Sequence, residues 1–216
     1  MKDSHVALAV ATTAVVMILA SAALAGEPTD KIKATTDKIL DIVKDPDMKA
    51  PDRAFERRQR IRAAADERFD WEEMSRRALG RYWSKLTGPQ KEEFVSVFSD
   101  LIERTYMDKV ENYSGETIDY AGETSEKDYA VVKLTILGHK NVEIPVEYRV
   151  AKEEGQWLVY DVSVEGVSLV NNYRTQFADI LARSSYEDLL KRIKEKVAEN
   201  TAQAAAPAAA NRTISH

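Results

Sequence analysis

The apolar residues of this chain change their spacing twice, from helical to alternating and back to helical. Over residues 29–44, Ile32, Ile39, Leu40 and Val43 fall on one helical face. Pro46 and Pro51 bracket a break. Residues 52–68 read as a second helix with a thin stripe of Phe55, Ile61 and Ala65. A third begins at Asp70, with Glu73 placed to complete a capping box and Phe69 and Met74 at staple positions; Gly80 suits its end. Thr87 and Gln90 form a second box ahead of the longest helix, residues 89–112. Its apolar positions spread over roughly 220° of the circumference, whereas ~100° serves an ordinary surface helix. Such a helix is buried on more than one side, or lines a cavity as well as a core.

Alternation then takes over. Residues 116–121, 129–137, 142–151 and 156–164 read as strands joined by short turn-like links. In the third, Val142, Ile144, Val146, Tyr148 and Val150 alternate with polar residues, so one face is buried and one is wet. Pro145, on the wet face, suggests an edge or a bulge. Beyond Gly166, Ser168 suits an N-cap for a helix with Leu169, Val170, Tyr173, Phe177, Ile180 and Leu181 on one face. Ser184 and Glu187 suit the start of a last helix carrying Leu189, Leu190, Ile193 and Val197. The pattern predicts an α+β fold: an antiparallel meander sheet, four-stranded or five-stranded, with helices packed on one face.

The two ends read differently. Residues 1–25 hold a polar start, an apolar run and a small-x-small site at Ala23-Leu24-Ala25, the form of a cleavable signal peptide. An uncleaved anchor is the alternative. No Cys stands at the cleavage point and no twin Arg precedes the run, so neither a lipoprotein nor folded export is indicated. Residues 26–197 make one domain, and the Ala-rich residues 198–216 read as a disordered tail.

Cysteine is absent, which removes disulfides, thiol nucleophiles and thiolate metal sites. An exported chain without disulfides fits a bacterial periplasm. The net charge of −5 argues against nucleic acid and against lasting adsorption to anionic membranes. The arginines of residues 52–68 are nearly matched by acids, so that helix reads as solvated rather than as a basic docking face.

Reactive motifs are nearly missing. Beyond the leader, His139 and His216 have no spaced partners, and neither a P-loop nor a G-x-S-x-G is present. No cofactor is expected. Asp161, among apolar strand residues, is the one carboxylate placed for a general base, though pairing with an Arg or capping a turn explains it better. Asn172 and Arg174, on the polar side of their helix, could hold a head group or make an ordinary ion pair. Residues 157–177 spend their length on Val, Leu and aromatics; periodicity alone leaves open whether these bury a core or a ligand.

Four runs go further. Residues 78–83 (ALGRYW), 89–94 (PQKEEF), 157–162 (WLVYDV) and 165–177 (EGVSLVNNYRTQF) resemble, in this order, the MlaC or toluene-tolerance family of periplasmic phospholipid-binding proteins. The resemblance covers about residues 30–196. It implies a monomeric soluble shuttle for phospholipid, or for a hopanoid-type lipid, between an outer-membrane lipoprotein–porin complex and an inner-membrane ABC transporter complex. It also implies an apolar pocket between sheet and helices. The periodicity then nominates the lining: Phe98, Leu101 and Tyr106 of the long helix, Val132, Leu134, Ile144, Val146, Tyr148 and Val164 of the sheet, and Leu169, Tyr173 and Phe177 beyond it. An enzyme using Asp161 on a hydrophobic substrate, or a ligand-free adaptor with a filled core, are the alternatives.

Overall fold

The computed structural model describes residues 26–138 and 142–210. The leader, His139 and His216 lie outside the described residues. Helix α1 (Glu27–Lys44) leads through two short 3₁₀ turns, Asp47–Lys49 and Pro51–Arg53, to α2 (Ala54–Asp66). Then come α3 (Trp71–Leu79), a 3₁₀ segment (Gly80–Lys85) and α4 (Gly88–Glu111). Strands β1 (Thr117–Glu126), β2 (Tyr129–Leu137), β3 (Glu143–Glu153), β4 (Gln156–Val164) and β5 (Val167–Ser168) pair in chain order into one antiparallel sheet. Helices α5 (Leu169–Leu181) and α6 (Tyr186–Ala210) complete the α+β architecture.

Local chemistry sets most element starts. Asp70 accepts from the Glu73 N–H at 2.8 Å, and Thr87 and Gln90 exchange both bonds of a capping box. Ser168 accepts from the Asn171 N–H at 3.0 Å to open α5. The last helix starts one residue later than expected. Ser185 Oγ accepts from the Asp188 N–H (3.1 Å) and Asp188 accepts from the Ser185 N–H (3.4 Å), in place of the anticipated Ser184 and Glu187 pair. α6 continues past residue 197 as far as Ala210, into the Ala-rich stretch read as a disordered tail, a run of the strongest helix former; residues 211–216 lie outside the described residues. Two-residue turns at Glu154-Gly155 and Glu165-Gly166 hold both residues at positive φ (47° and 83°, 51° and 79°), the geometry that matches strand twist.

Two strand expectations change. β1 runs five residues past Ala121 to Glu126, because a bulge between Tyr120 and Gly122 carries the strand through what looked like a turn. Pro145 stands at no bulge; it pairs with Thr135 of β2 and lies one residue past the last β3–β4 pair, Val146 with Val164, so it is at an edge on the β4 side alone. Its carbonyl accepts from the Glu165 N–H at 2.9 Å, one residue past the end of β4. The missing proline N–H therefore faces a gap in the ladder, where a lost donor costs little.

Arg60 of α2 is exposed and pairs with Glu56 on its own helix, as a solvated face requires, but the other arginines of α2 are spent on α4. Arg57 and Arg58 both grip the largely buried Glu111, at 2.7 and 2.8 Å. Arg62 reaches Asp66, Asp100, Glu103 and the Ser99 hydroxyl. Next to α2, Arg68 donates to the Trp157 carbonyl at 2.6 Å and ties the helices to β4. The wide apolar arc of α4 is explained by three separate contacts. Phe94, Phe98, Leu101 and Ile102 enter the core shared with α3, α5 and α6. Met107 packs with Val43 and Ile61, and Tyr106 also reaches the sheet. Among the described residues no helix is long and apolar enough to cross a membrane.

Candidate functional site

The inward face of the sheet is a ladder of apolar pairs: Ala130 with Val150, Val132 with Tyr148, Leu134 with Val146, and Ile136 with Ile144. β4 extends it through Val164 beside Val146 and Val162 beside Tyr148, and β1 through Ile118 beside Ile136 and Tyr120 beside Leu134. Coverage of this face is uneven. At one end Val132, Val150 and Val159 are fully buried. There α3 and its approach press on β4: Phe69 bridges to Val159, and the Asp70 N–H donates to the Val159 carbonyl at 2.9 Å. Along the same face Ile118, Tyr120, Ile136, Ile144, Tyr148 and Val164 are only half-buried. Beyond them Val142 and Val167 are 53% and 57% exposed.

The apolar interior is correspondingly split. A sheet cluster and a helical cluster share only Phe69 and Tyr106 at their margins. A small domain ordinarily closes into one contiguous core. Covering a half-buried Ile or Val fully would add up to about 1 kcal/mol each. The half-covered end leaves that stabilisation unclaimed, which makes this face the candidate site for an apolar contact.

The chemistry there is apolar with neutral phenols. Burial pushes the Tyr148 hydroxyl up to about 12. Burial also raises Tyr120 and Tyr106 above the ordinary phenol value. All three stay uncharged at neutral pH, and the Tyr120 hydroxyl is itself buried. Among the described residues no cluster of His, Asp or Glu is placed to hold a metal ion.

The nominated lining divides between the two clusters. Ile144, Tyr148 and Val164 stand at the half-covered end, and Tyr106 packs on the sheet from α4. Val132, Leu134, Val146 and Leu169 are buried in the sheet cluster. Phe98, Leu101 and Phe177 sit in the helical core, with Tyr173 packed against it. There the Phe98 ring stacks on Phe94 and meets Tyr173 and Phe177 edge-on at 5.3 and 5.6 Å. Asn172 and Arg174 are exposed on α5. Asn172 accepts from Gln176, while Arg174 lies over Gly80, whose φ of +54° and lack of a Cβ admit the guanidinium. Neither is among the residues packed on the half-covered face. Ile118, Tyr120 and Ile136 belong to that face and escaped nomination. Ile136 continues the Val132–Leu134 alternation and was legible; Ile118 and Tyr120 precede the β1 bulge, which breaks their strand's phase.

A family model described as MlaC protein matches residues 33–195. The chain belongs to the MlaC family. The intermembrane phospholipid transport system binding protein MlaC of Haemophilus influenzae is 23% identical over 57% of this chain and 60% of its own length. Toluene tolerance protein ttg2D of Pseudomonas putida is 30% identical over 52% of this chain and 53% of its own length. The chain thus aligns with little more than half the length of these curated relatives. A phospholipid-binding protein from Ralstonia solanacearum, solved in complex with a phospholipid, superposes with a TM-score of 0.73 at 27% identity. That match covers 82% of this chain and 99% of the other.

In this MlaC-family chain the suspected carboxylate has a structural post. Asp161 is 4% exposed and accepts from the Ser168 hydroxyl at 2.6 Å and from the Val170 N–H at 3.1 Å. It thereby pins the start of α5 to β4, with Arg149 3.7 Å away. Asp161→Asn retains the shape but replaces one acceptor with a donor. We expect a loss of about 1–3 kcal/mol in urea unfolding.

Proposed function

We propose that this protein is a periplasmic phospholipid carrier, moving lipid between an outer-membrane lipoprotein–porin complex and an inner-membrane ABC transporter complex. The single observation that carries the reading is the half-covered apolar sheet face, in a fold that matches a phospholipid-bound relative over nearly its whole length. Exposing two acyl chains of about 15 methylenes each would cost on the order of 24 kcal/mol at ~0.8 kcal/mol per CH₂. A carrier must enclose such chains. Because membranes and partner sites enclose them equally well, the net free energy of exchange stays small, and release is as accessible as capture. Neutral phenols and aliphatic side chains suit this task, and no general acid or base is required of them. The Haemophilus influenzae relative, an intermembrane phospholipid transport system binding protein, supports the same reading.

Native mass spectrometry of the full chain, purified gently from a Gram-negative host, tests it. The expected spectrum shows complexes heavier than the polypeptide by phospholipid masses, and the lipid-free protein gains the same increments from phosphatidylglycerol or phosphatidylethanolamine vesicles. A polypeptide that carries no lipid and takes none from either vesicle defeats the proposal. A hopanoid-type mass instead would retain the carrier and change its cargo.

A further inference from the structure

On the helical side of the molecule, away from the half-covered sheet face, α4, α5 and α6 enclose a groove of about 420 Å³. Its floor is apolar: Leu101, Phe177 and Ile193, each nearly fully buried. Its walls are cationic. Arg104 comes from α4, and Arg192 and Lys196, one turn apart, come from α6, with Asp108 the one carboxylate among the lining residues. Asp108 is also turned toward Arg58 of α2, 3.7 Å away, so it neutralises little of the groove. Lys196 has an exposed partner in Glu199 at 3.3 Å, whereas no hydrogen bond or ion pair holds Arg104 or Arg192 among the described residues.

Arg104 is the telling residue. Its Nε is buried and has no acceptor. A buried guanidinium N–H without a partner is destabilising; Arg53 Nε shares that state but its guanidinium also pairs with Glu56, whereas Arg104 has no ion pair among the described residues. Polar groups complete the ring: the Thr105 hydroxyl, which accepts from Asn200 at 3.4 Å, and the Gln176 amide.

We propose that this groove is a second binding site, for a phosphate-type oxyanion. Two arginines and a lysine line this one groove, and guanidinium forks with an ammonium suit several phosphate oxygens at once, an arrangement a single carboxylate ligand would leave half-used. The apolar floor admits a short aliphatic portion beside the anion, so a lipid head group and a soluble phosphate compound share the chemistry. The site does not depend on whether the sheet face holds acyl chains.

The test titrates the full chain with inorganic phosphate and, separately, with dihexanoyl phosphatidylglycerol below its micelle concentration. Sodium chloride at equal ionic strength is the control. Saturable phosphate binding above the chloride control is expected, weakened about tenfold or more in R104Q and in R192Q. Arg192 is exposed on α6, so R192Q tests the site without disturbing the fold. Displacement of phosphate by dihexanoyl phosphatidylglycerol identifies a lipid head group as the ligand; phosphate binding without displacement identifies a soluble phosphate compound. Absence of saturable binding by either probe, or binding of equal strength in R192Q and the parent chain, overturns the proposal.

Discussion

Phe98→Ala lowers the stability of this protein by about 3–5 kcal/mol, the cost of deleting a fully buried aromatic ring and leaving a cavity. The Phe98 ring is fully buried and contacts the rings of Phe94, Tyr173 and Phe177. Those residues belong to α4 and α5, so the cavity opens where the helical core is knit together. In thermal unfolding followed by circular dichroism the midpoint falls by roughly 6–20 °C, at ~2–4 °C per kcal/mol for a domain of this size. The same variant separates two uses of this residue. As part of the helical core, it changes stability far more than lipid content. If Phe98 lined the acyl-chain site instead, truncation would enlarge that site and shift the lipid complement at little cost in stability.

Ile144→Glu makes the complementary change. Ile144 is half-buried at the open end of the inward sheet face, beside Ile136. In the lipid-free protein a carboxylate there keeps partial access to water, so the fold loses about 1 kcal/mol or less, as for other partly exposed positions. An acyl chain laid along that face would strip the remaining water from the charge, and burying an unpaired carboxylate costs several kcal/mol. The expected result is at least about a tenfold fall in lipid bound per protein, where 1.4 kcal/mol suffices for tenfold, with a midpoint close to that of the parent. Lipid content equal to the parent's would remove this end of the sheet from the binding site.

The different fates of Phe98 and Ile144 mark the limit of periodicity. Both were nominated as lining on the same grounds, an apolar residue at the right phase of a helix or strand. Phase says which side of its element a residue occupies. It does not say how far the facing element extends, and here the facing elements stop short. Phe69 and Asp70 anchor the approach to α3 at Val159, and Thr29 donates from its backbone and hydroxyl to Glu123, holding the start of α1 against β1. Both fastenings span long sequence separations and leave Ile118, Ile136, Ile144 and Val164 under partial cover. The arginines of α2 carry the same lesson. Acids on their own helix suggested a solvated surface, while the decisive partners, Glu111 and Glu103, are on α4.

Local chemistry was legible in the sequence because its partners are only a few residues apart. The capping contacts at Asp70, Thr87 and Ser168, the positive-φ turns at Glu154-Gly155 and Glu165-Gly166, and the alternation of β2 to β4 each follow from near neighbours. They were enough to determine an α+β chain with an antiparallel meander between helices. The ordered runs from Ala78 to Phe177 were enough to point to its family. Tertiary structure alone decided how the apolar residues are shared out. It sent Phe98 into the helical core, set Leu101 and Phe177 at the floor of a groove beside it, left the far end of the sheet half-covered, and gathered Arg104, Arg192 and Lys196 around that groove. Burial is a property of the space between elements, and that space is set by contacts between residues tens of positions apart.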